Sequence, residues 1–254
     1  MKKIKTYVIN LPKDVARRQN MEEVTGKLPY LDIEWVQAVY GKELSEEEIE
    51  IRFDRKKYQK AYHRLLFPGE IGCTLSHYEC YKRIIQSGAQ VALILEDDIS
   101  FVHDTCLETL LQKSKEFMNQ EEPLVILLHG AFSYTGKPIP FYDRYSLYKI
   151  YEANFTTGYF INQSAVRLIL QEERPFQVAD DWCFYRRQGI RVLSFYPSVA
   201  IQLWDVFESS LKESERSKES RIRIPLSVFE YKLYCAKIQA LILKKIGVVK
   251  RLKK

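Results

Sequence analysis

The sequence has no unbroken apolar stretch of the roughly 18 residues that a membrane-crossing helix needs, so no transmembrane helix is expected. Its first residues, Met1-Lys2-Lys3-Ile4-Lys5, are basic, but Asn10, Pro12, Lys13 and Asp14 follow too soon for a signal-peptide apolar core. Cysteine is scarce and unpaired in pattern. The five (73, 80, 106, 183 and 235) are odd in number, widely spaced and without a CxxC pair, which excludes a disulfide scaffold or zinc ribbon and fits a reducing compartment. No internal repeat is visible, and fibrous classes are excluded. What is present is 46% hydrophobic and 28% charged residues over 254 positions, the composition of one folded domain of ordinary size or two small ones.

Charge is unevenly placed. Residues 211–254 carry 13 basic and 4 acidic residues, and no acid follows Glu230, whereas 1–210 carry 26 basic and 29 acidic. The net charge of +6 therefore belongs to the tail. An acidic body argues against a nucleic-acid-binding face, and no nucleic-acid partner is expected.

Alternating signals run along the chain. Strands are predicted at 4–9, 33–39, 91–95 (VALIL), 124–128 (LVILL), 156–161 and 191–196, the two wholly apolar runs being those expected of strands buried on both faces. Between them Asp14, Ser45 (with Glu48 in a capping-box pattern), Asp104 and Ser164 are placed to cap helices, and a further helix is predicted near 180–188. Pro68-Gly69 reads as a stop before a helix carrying Leu75, Tyr78, Tyr81, Ile84 and Ile85. Residues 131–150, rich in Tyr and Pro without periodicity, are expected to form a long, lid-like loop. Strands alternating with helices predict an α/β fold with a mixed, mainly parallel sheet.

Three segments could carry chemistry. Glu96-Asp97-Asp98 directly follows a buried strand, where ligands gather in open α/β sheets; such a carboxylate cluster suits Mn²⁺ or Mg²⁺, or is a solvated acidic loop. Gly69-Glu70-Ile71-Gly72-Cys73-Thr74-Leu75-Ser76-His77 places glycines at a helix start, where backbone N–H groups favour phosphate. Asn10 ends the first strand, with Arg17 and Arg18 a turn or two on, as a cap and solvated cations or as ligand contacts. Asp180 and Asp181 suit a general base, or a helix N-cap and first-turn acid.

Taken in order, Val8-Ile9-Asn10-Leu11 with Arg17-Arg18, the glycine segment 69–77, and Leu95-Glu96-Asp97-Asp98 resemble glycosyltransferase family 25, a family of lipopolysaccharide, lipooligosaccharide and collagen sugar transferases. Thr157-Gly158-Tyr159-Phe160-Ile161, Val178-Ala179-Asp180 and the stretch from Tyr196-Pro197 to Gln202 agree, so that the resemblance spans about residues 4–210. It implies a GT-A-like nucleotide-sugar-binding fold and an inverting transfer of a hexose, galactose first, from a UDP-sugar to a glycan or glycolipid acceptor. Mn²⁺ (or Mg²⁺) is the implied cofactor, with Glu96, Asp98 and Gln202 the implied metal residues. Asn10, Leu11, Arg17, Arg18, Gly72, Ser76, His77, Glu96, Asp97 and Gly158 would bind the donor, and Asp180, with Asp181 as the alternative, would be the base. Rival readings are a catalytically idle sugar-nucleotide or glycan-binding module, or an adaptor driven by the basic tail.

The expected organisation is a catalytic domain over 1–210, a charged linker over 211–225 and a basic amphipathic helix over 226–254. Tyr231, Tyr234, Cys235, Ile238, Leu241 and Ile242 fall on one helical stripe bordered by lysines, the pattern of a segment that lies on an anionic membrane. The expected location is cytoplasmic, peripheral on the inner face of the cytoplasmic membrane.

Overall fold

The structure is a computed structural model that describes residues 3–102, 105–129, 132–203, 239 and 241–252. Its centre is a nine-stranded mixed sheet. β1 (Ile4–Asn10) is followed by helix α1 (Val15–Gly26) and β2 (Leu31–Gln37), which lies parallel to β1. A 3-10 turn at Gly41–Glu43 leads to α2 (Glu46–Arg52), whose Ser45–Glu48 capping box is formed as the sequence predicts. α3 (Arg55–Tyr62) and the long α4 (Pro68–Ser87) then bring the chain to β3 (Val91–Glu96), parallel to β1 on its other side. Short β4 (Ile99–Phe101) and α5 (Leu107–Phe117) precede β5 (Leu124–Leu127).

The second half adds β6 (Phe132–Tyr142), β7 (Tyr145–Ala153), β8 (Gly158–Asn162), α6 (Gln163–Ile169), α7 (Trp182–Arg187), β9 (Arg191–Tyr196), β10 (Ala200–Gln202) and β11 (Val249–Arg251). The order across the sheet is β11-β6-β7-β9-β5-β8-β3-β1-β2, with β10 and β4 forming a separate antiparallel pair. β5 and β9 are parallel; β8 inserts antiparallel between β3 and β5, and β7, β6 and β11 continue antiparallel to the edge. The α/β architecture with a mixed sheet matches expectation.

Alternation along the buried runs builds two cores. Ala92 and Ile94 of β3 join Val125 and Leu127 of β5 on the face covered by Tyr78, Tyr81 and Ile84 of α4 and Trp182 of α7. Val91, Leu93 and Leu95, with Leu124 and Ile126, face Met21 of α1 and Leu110 and Leu111 of α5. Both faces are covered, which is why these strands read as continuous apolar runs and not as alternating ones. Glu96 continues the parity of Ile94, so its side chain emerges on the α4 side.

Four expectations are corrected. Residues 131–150 are no loop: most of them form the β6–β7 hairpin, turned at Asp143 with φ of 50°. Register shifts at Ser133/Tyr134, Thr135/Ile139 and Pro140/Tyr142 break the two-residue alternation that would have revealed it. Pro68 starts α4 instead of ending the preceding region, as suits a residue with no N–H to leave unbonded. α6 is capped by Asn162, which accepts from the Ala165 N–H, not by Ser164. Finally, the tail helix does not reach the last residues: 241–245 are helical, Gly247 turns with φ of 74°, and Val249–Arg251 join the sheet. The cap placed at Asp104, the linker at 211–225 and Tyr231–Ile238 of the stripe lie outside the described residues. Among the described residues no helix is long and apolar enough to cross a membrane.

Gly72 and Gly41 let α4 approach the loop after β2. A Cβ at Gly72 would lie 2.4 Å from the Val39 carbonyl oxygen and 2.7 Å from the Gly41 nitrogen, both backbone atoms that cannot swing away. Gly72→Ala is expected to cost about 3 kcal/mol of stability, the upper range for overpacking, read as a fall in the urea midpoint at unchanged slope.

Candidate functional site

The site follows from strand direction. β1, β2 and β3 are parallel, so Asn10, Gln37 and Glu96 end at one edge of the sheet, and antiparallel β8 begins there. The chain leaves β1 toward β2 and returns on the other side as β3, which opens a crevice at their carboxyl ends. That crevice is a cleft of about 150 Å³, lined by Leu11 and Arg17, by Val39, Tyr40 and Lys42 after β2, by Cys73, Ser76 and His77 of α4, and by Glu96, Asp97 and Asp98.

The three acids are separately held. Glu96 Oε1 accepts from the Thr156 hydroxyl and lies 3.4 Å from His77 Nε2. His77 Nδ1 meets the Tyr159 hydroxyl at 2.7 Å, which meets that of Tyr81 at 2.8 Å, a chain running from the cleft into the core. Burial pushes Glu96 up, but His77, Thr156 and Arg17 outweigh it and hold the carboxyl below its ordinary value. Asp97 accepts from Asn10 Nδ2 at 2.8 Å and from Arg17 Nη1 at 3.0 Å, yet burial keeps it above the usual carboxylate range. Asp98 Oδ2 accepts from Gln202 Nε2 at 2.9 Å and lies 3.5 Å from Arg17 Nη1. Burial, then the charge of Glu96, raises Asp98 to about 6.

Most of the residues singled out in the sequence meet here, but their roles divide. Asn10 is buried behind Asp97 and orients it. Ser76 lines the cleft while its hydroxyl accepts from the Val39 N–H and donates to the Gly72 carbonyl, tying the loop to α4. Gly72 serves that same approach and stands outside the lining. Gly158 is buried against Leu95, where a Cβ would come within 3.1 Å of Cδ2. Arg18 does not reach the cleft: it bonds Glu22 at 2.9 Å and stacks on the Trp35 ring at 3.7 Å. The start of α4 is also not open to phosphate as expected, because Glu70, gripped by both Arg64 nitrogens, accepts from the Phe67 N–H. Thr156, Tyr159 and Tyr81 were missed as site residues; Tyr159 stood in the glycine–tyrosine segment, but a buried strand pattern does not say which hydroxyl faces a histidine.

A divalent cation is testable against these groups. Asp98 Oδ1 is buried and has no hydrogen-bond partner among the described residues, in a cleft that also holds the Glu96 carboxylate. An orphaned carboxylate oxygen beside a second acid fits an oxygen-seeking ion such as Mn²⁺ or Mg²⁺. Gln202 fits less well as a ligand, since its Oε1 accepts from the Thr157 hydroxyl at 3.2 Å while its amide nitrogen orients Asp98. Cys73, His77 and Glu96 also converge within 4.8 Å, a second set of groups that could hold a metal, and burial and the charges of Glu96 and Asp180 push the metal-free Cys73 thiol well up.

Asp180 and Asp181 separate by environment. Asp181 caps α7 through the Phe184 N–H at 2.8 Å and accepts from the Tyr62 hydroxyl at 2.7 Å, so both its oxygens are structural. Among the described residues Asp180 accepts one side-chain bond, from the Phe155 N–H at 3.2 Å, and it lines a second, larger cleft. Burial raises it, the Phe155 N–H opposes that, and the charges of Glu96 and Asp181 raise it further.

A family model described as Glycosyltransferase family 25 (LPS biosynthesis protein) matches residues 3–184. The chain belongs to glycosyltransferase family 25. Relatives of this family-25 chain include a Glycosyltransferase 25 family member of Drosophila pseudoobscura pseudoobscura, 41% identical over 37% of this chain and 16% of that protein. Another is Procollagen galactosyltransferase 1-B of Xenopus laevis, 31% identical over 66% of this chain and 28% of that protein. The chain thus spans less than a third of the length of these curated relatives. A solved structure of apo UDP-glucose pyrophosphorylase aligns with a TM-score of 0.37 at 10% identity over 76% of this chain and 90% of that one.

In this family-25 chain the raised Asp98 sets an expected pH signature. A carboxyl lifted from 3.8 to about 6 on folding binds its proton more tightly in the folded state, so its ionisation lowers stability as pH rises through that window. Asp98→Asn is expected to gain stability over the native protein between about pH 4 and pH 6 and to keep that gain above it, measured by thermal unfolding without added metal.

Proposed function

We propose that this chain is an inverting glycosyltransferase that moves a hexose, galactose first, from a UDP-sugar to a glycan or glycolipid acceptor such as a lipooligosaccharide or lipopolysaccharide. The observation that carries this reading is the pairing of a cleft holding an unpartnered Asp98 oxygen with a singly bonded Asp180 close enough to Glu96 to feel its charge. Membership of the family and the likeness to procollagen galactosyltransferases support sugar transfer and favour galactose.

Asp98, with Glu96 beside it, would hold Mn²⁺ or Mg²⁺. When bound, that ion supplies positive charge to the donor diphosphate. Arg17, fixed by Asp97 and Asp98, adds a guanidinium at the cleft wall. Asp180 takes the proton of the acceptor hydroxyl as the oxygen bonds to the anomeric carbon. The bond from that carbon to the diphosphate oxygen breaks with its electron pair, and UDP leaves. A raised pKa suits a base that must take a proton near neutrality.

We also propose that the enzyme works at the cytoplasmic face of the cytoplasmic membrane as a peripheral protein. Leu241 (66% exposed), Ile242 (53%) and Ile246 (64%) stand in water beside Lys244 and Lys245, which supports docking on an anionic lipid surface. Because β11 belongs to the sheet, the suitable probe is the double variant Leu241→Ser, Ile242→Ser and not a truncation. It should lose co-sedimentation with phosphatidylglycerol-containing liposomes; equal binding by both proteins removes the docking proposal.

UDP-sugars screened for turnover with and without Mn²⁺, alongside a UDP thermal-shift titration, test the activity. Binding of UDP without hydrolysis or transfer would mark an idle module. Asp180→Asn should lower turnover about 10²- to 10⁴-fold at nearly unchanged UDP affinity. Asp181→Ala should instead cost about 1 kcal/mol of stability through its helix cap; a fall in UDP affinity of Asp180→Asn matching its fall in turnover would make Asp180 a donor ligand and not the base.

A further inference from the structure

Asp180 opens onto a second cleft of about 1190 Å³, distinct from the one at the ends of β1 and β3. Its walls come from several elements. The β6–β7 hairpin supplies Phe132 and Glu152, the segment before β8 Phe155, the end of β9 Tyr196, α3 Tyr62, and the tail Lys244, Val249, Arg251 and Leu252. The tail is fastened there. β11 pairs antiparallel with β6, Arg251 opposite Ser133 and Val249 opposite Thr135, and the Leu252 N–H bonds the Phe132 carbonyl at 3.4 Å. Val249 is buried, and Lys244 Nζ lies 2.6 Å from Glu152.

We propose that this second cleft is the acceptor subsite and that β11 is its outer wall, so that the enzyme takes an oligosaccharide chain in preference to a free hexose, with Arg251 and Tyr196 touching the sugars beyond the one that reacts. This rests on the transferase reading above, with Asp180 as the base at the cleft's inner end. Three observations carry it. At about 1190 Å³ the cleft lies above the roughly 1,000 Å³ upper range of small-molecule sites, room for more than one sugar. Tyr196, T-shaped against Tyr148, is 41% exposed where it lines the cleft, an aromatic ring of the sort on which sugar rings stack. Strand geometry then aims Arg251 and Val249 to one side and Lys250 to the other: the first two line the cleft, and Lys250 does not.

The test compares methyl glycosides of galactose, glucose and N-acetylglucosamine with oligosaccharides of three or more units ending in the same sugars, using UDP-galactose and Mn²⁺ and the full chain. Oligosaccharides should be the better acceptors. Arg251→Ala and Tyr196→Ala should each raise the oligosaccharide KM about tenfold, leaving the methyl glycoside KM and UDP affinity unchanged. Lys250→Ala, on the same strand but the opposite face, should do neither. Equal use of methyl glycosides and oligosaccharides, an unmoved oligosaccharide KM in both cleft variants, or a Lys250→Ala effect as large as that of Arg251→Ala overturns the inference. So does UDP-galactose hydrolysis with no transfer to any oligosaccharide. A chain that neither binds UDP nor hydrolyses UDP-sugars instead removes the transferase reading beneath it.

Discussion

Three adjacent carboxylates at the end of one buried strand cannot stand near one another unless each is given its own partners, and much of the site is the means of doing so. Isolated, such charges would take up protons or draw in water. The fold divides them by direction. Glu96 turns to His77 and Thr156, Asp97 to Asn10 and Arg17, and Asp98 to Gln202 with one oxygen left over. Each partner arrives from a different element: α4, the start of β8, the end of β1, α1 and β10. Displacing any of these elements would strand a buried charge, so the geometry of the cleft and the integrity of that sheet edge are one problem.

The same logic separates the two aspartates before α7. They are neighbours in sequence and equal in intrinsic acidity, but Asp181 is bound by a helix N-terminus and a tyrosine, whereas Asp180 keeps one weak backbone bond and sits within the field of Glu96. Position alone makes one a structural anion and leaves the other able to exchange a proton. Asp180 also links the two clefts: it feels the charge of Glu96, which lines the first, and its side chain lines the larger cavity.

Legibility in the sequence tracked how local each determinant is. The runs 91–95 and 124–128 were plain because burial on both faces leaves no polar residue to interrupt them. The hairpin at 132–153 was hidden because its bulges reset the alternation three times. Gly72 and Gly158 show how one signal serves two needs: a missing Cβ can admit a phosphate or another stretch of backbone, and here the neighbours are Val39, Gly41 and Leu95. Arg17 and Arg18 differ by about 100° around a helix, which sends the first to Asp97 and the second to Trp35. Pairings such as His77 with Tyr159, across 82 positions, depend on how α4 lies on β8 and have no local mark at all.

β11 lies more than a hundred residues after the strand it completes. Until it is synthesised and docks, β6 is the margin of the sheet and presents a row of unbonded N–H and C=O groups, the template on which foreign strands add. Closing so distant a pairing is among the slower events of folding, because a long loop must be ordered before the contact rewards it. A molecule with β11 undocked would leave the backbone of Ser133–Thr135 in β6 without its partner on that flank. A cell that makes this protein quickly would meet its aggregation at that flank, and the prolines at 138 and 140, set in an exposed part of β6, stand where they would blunt it.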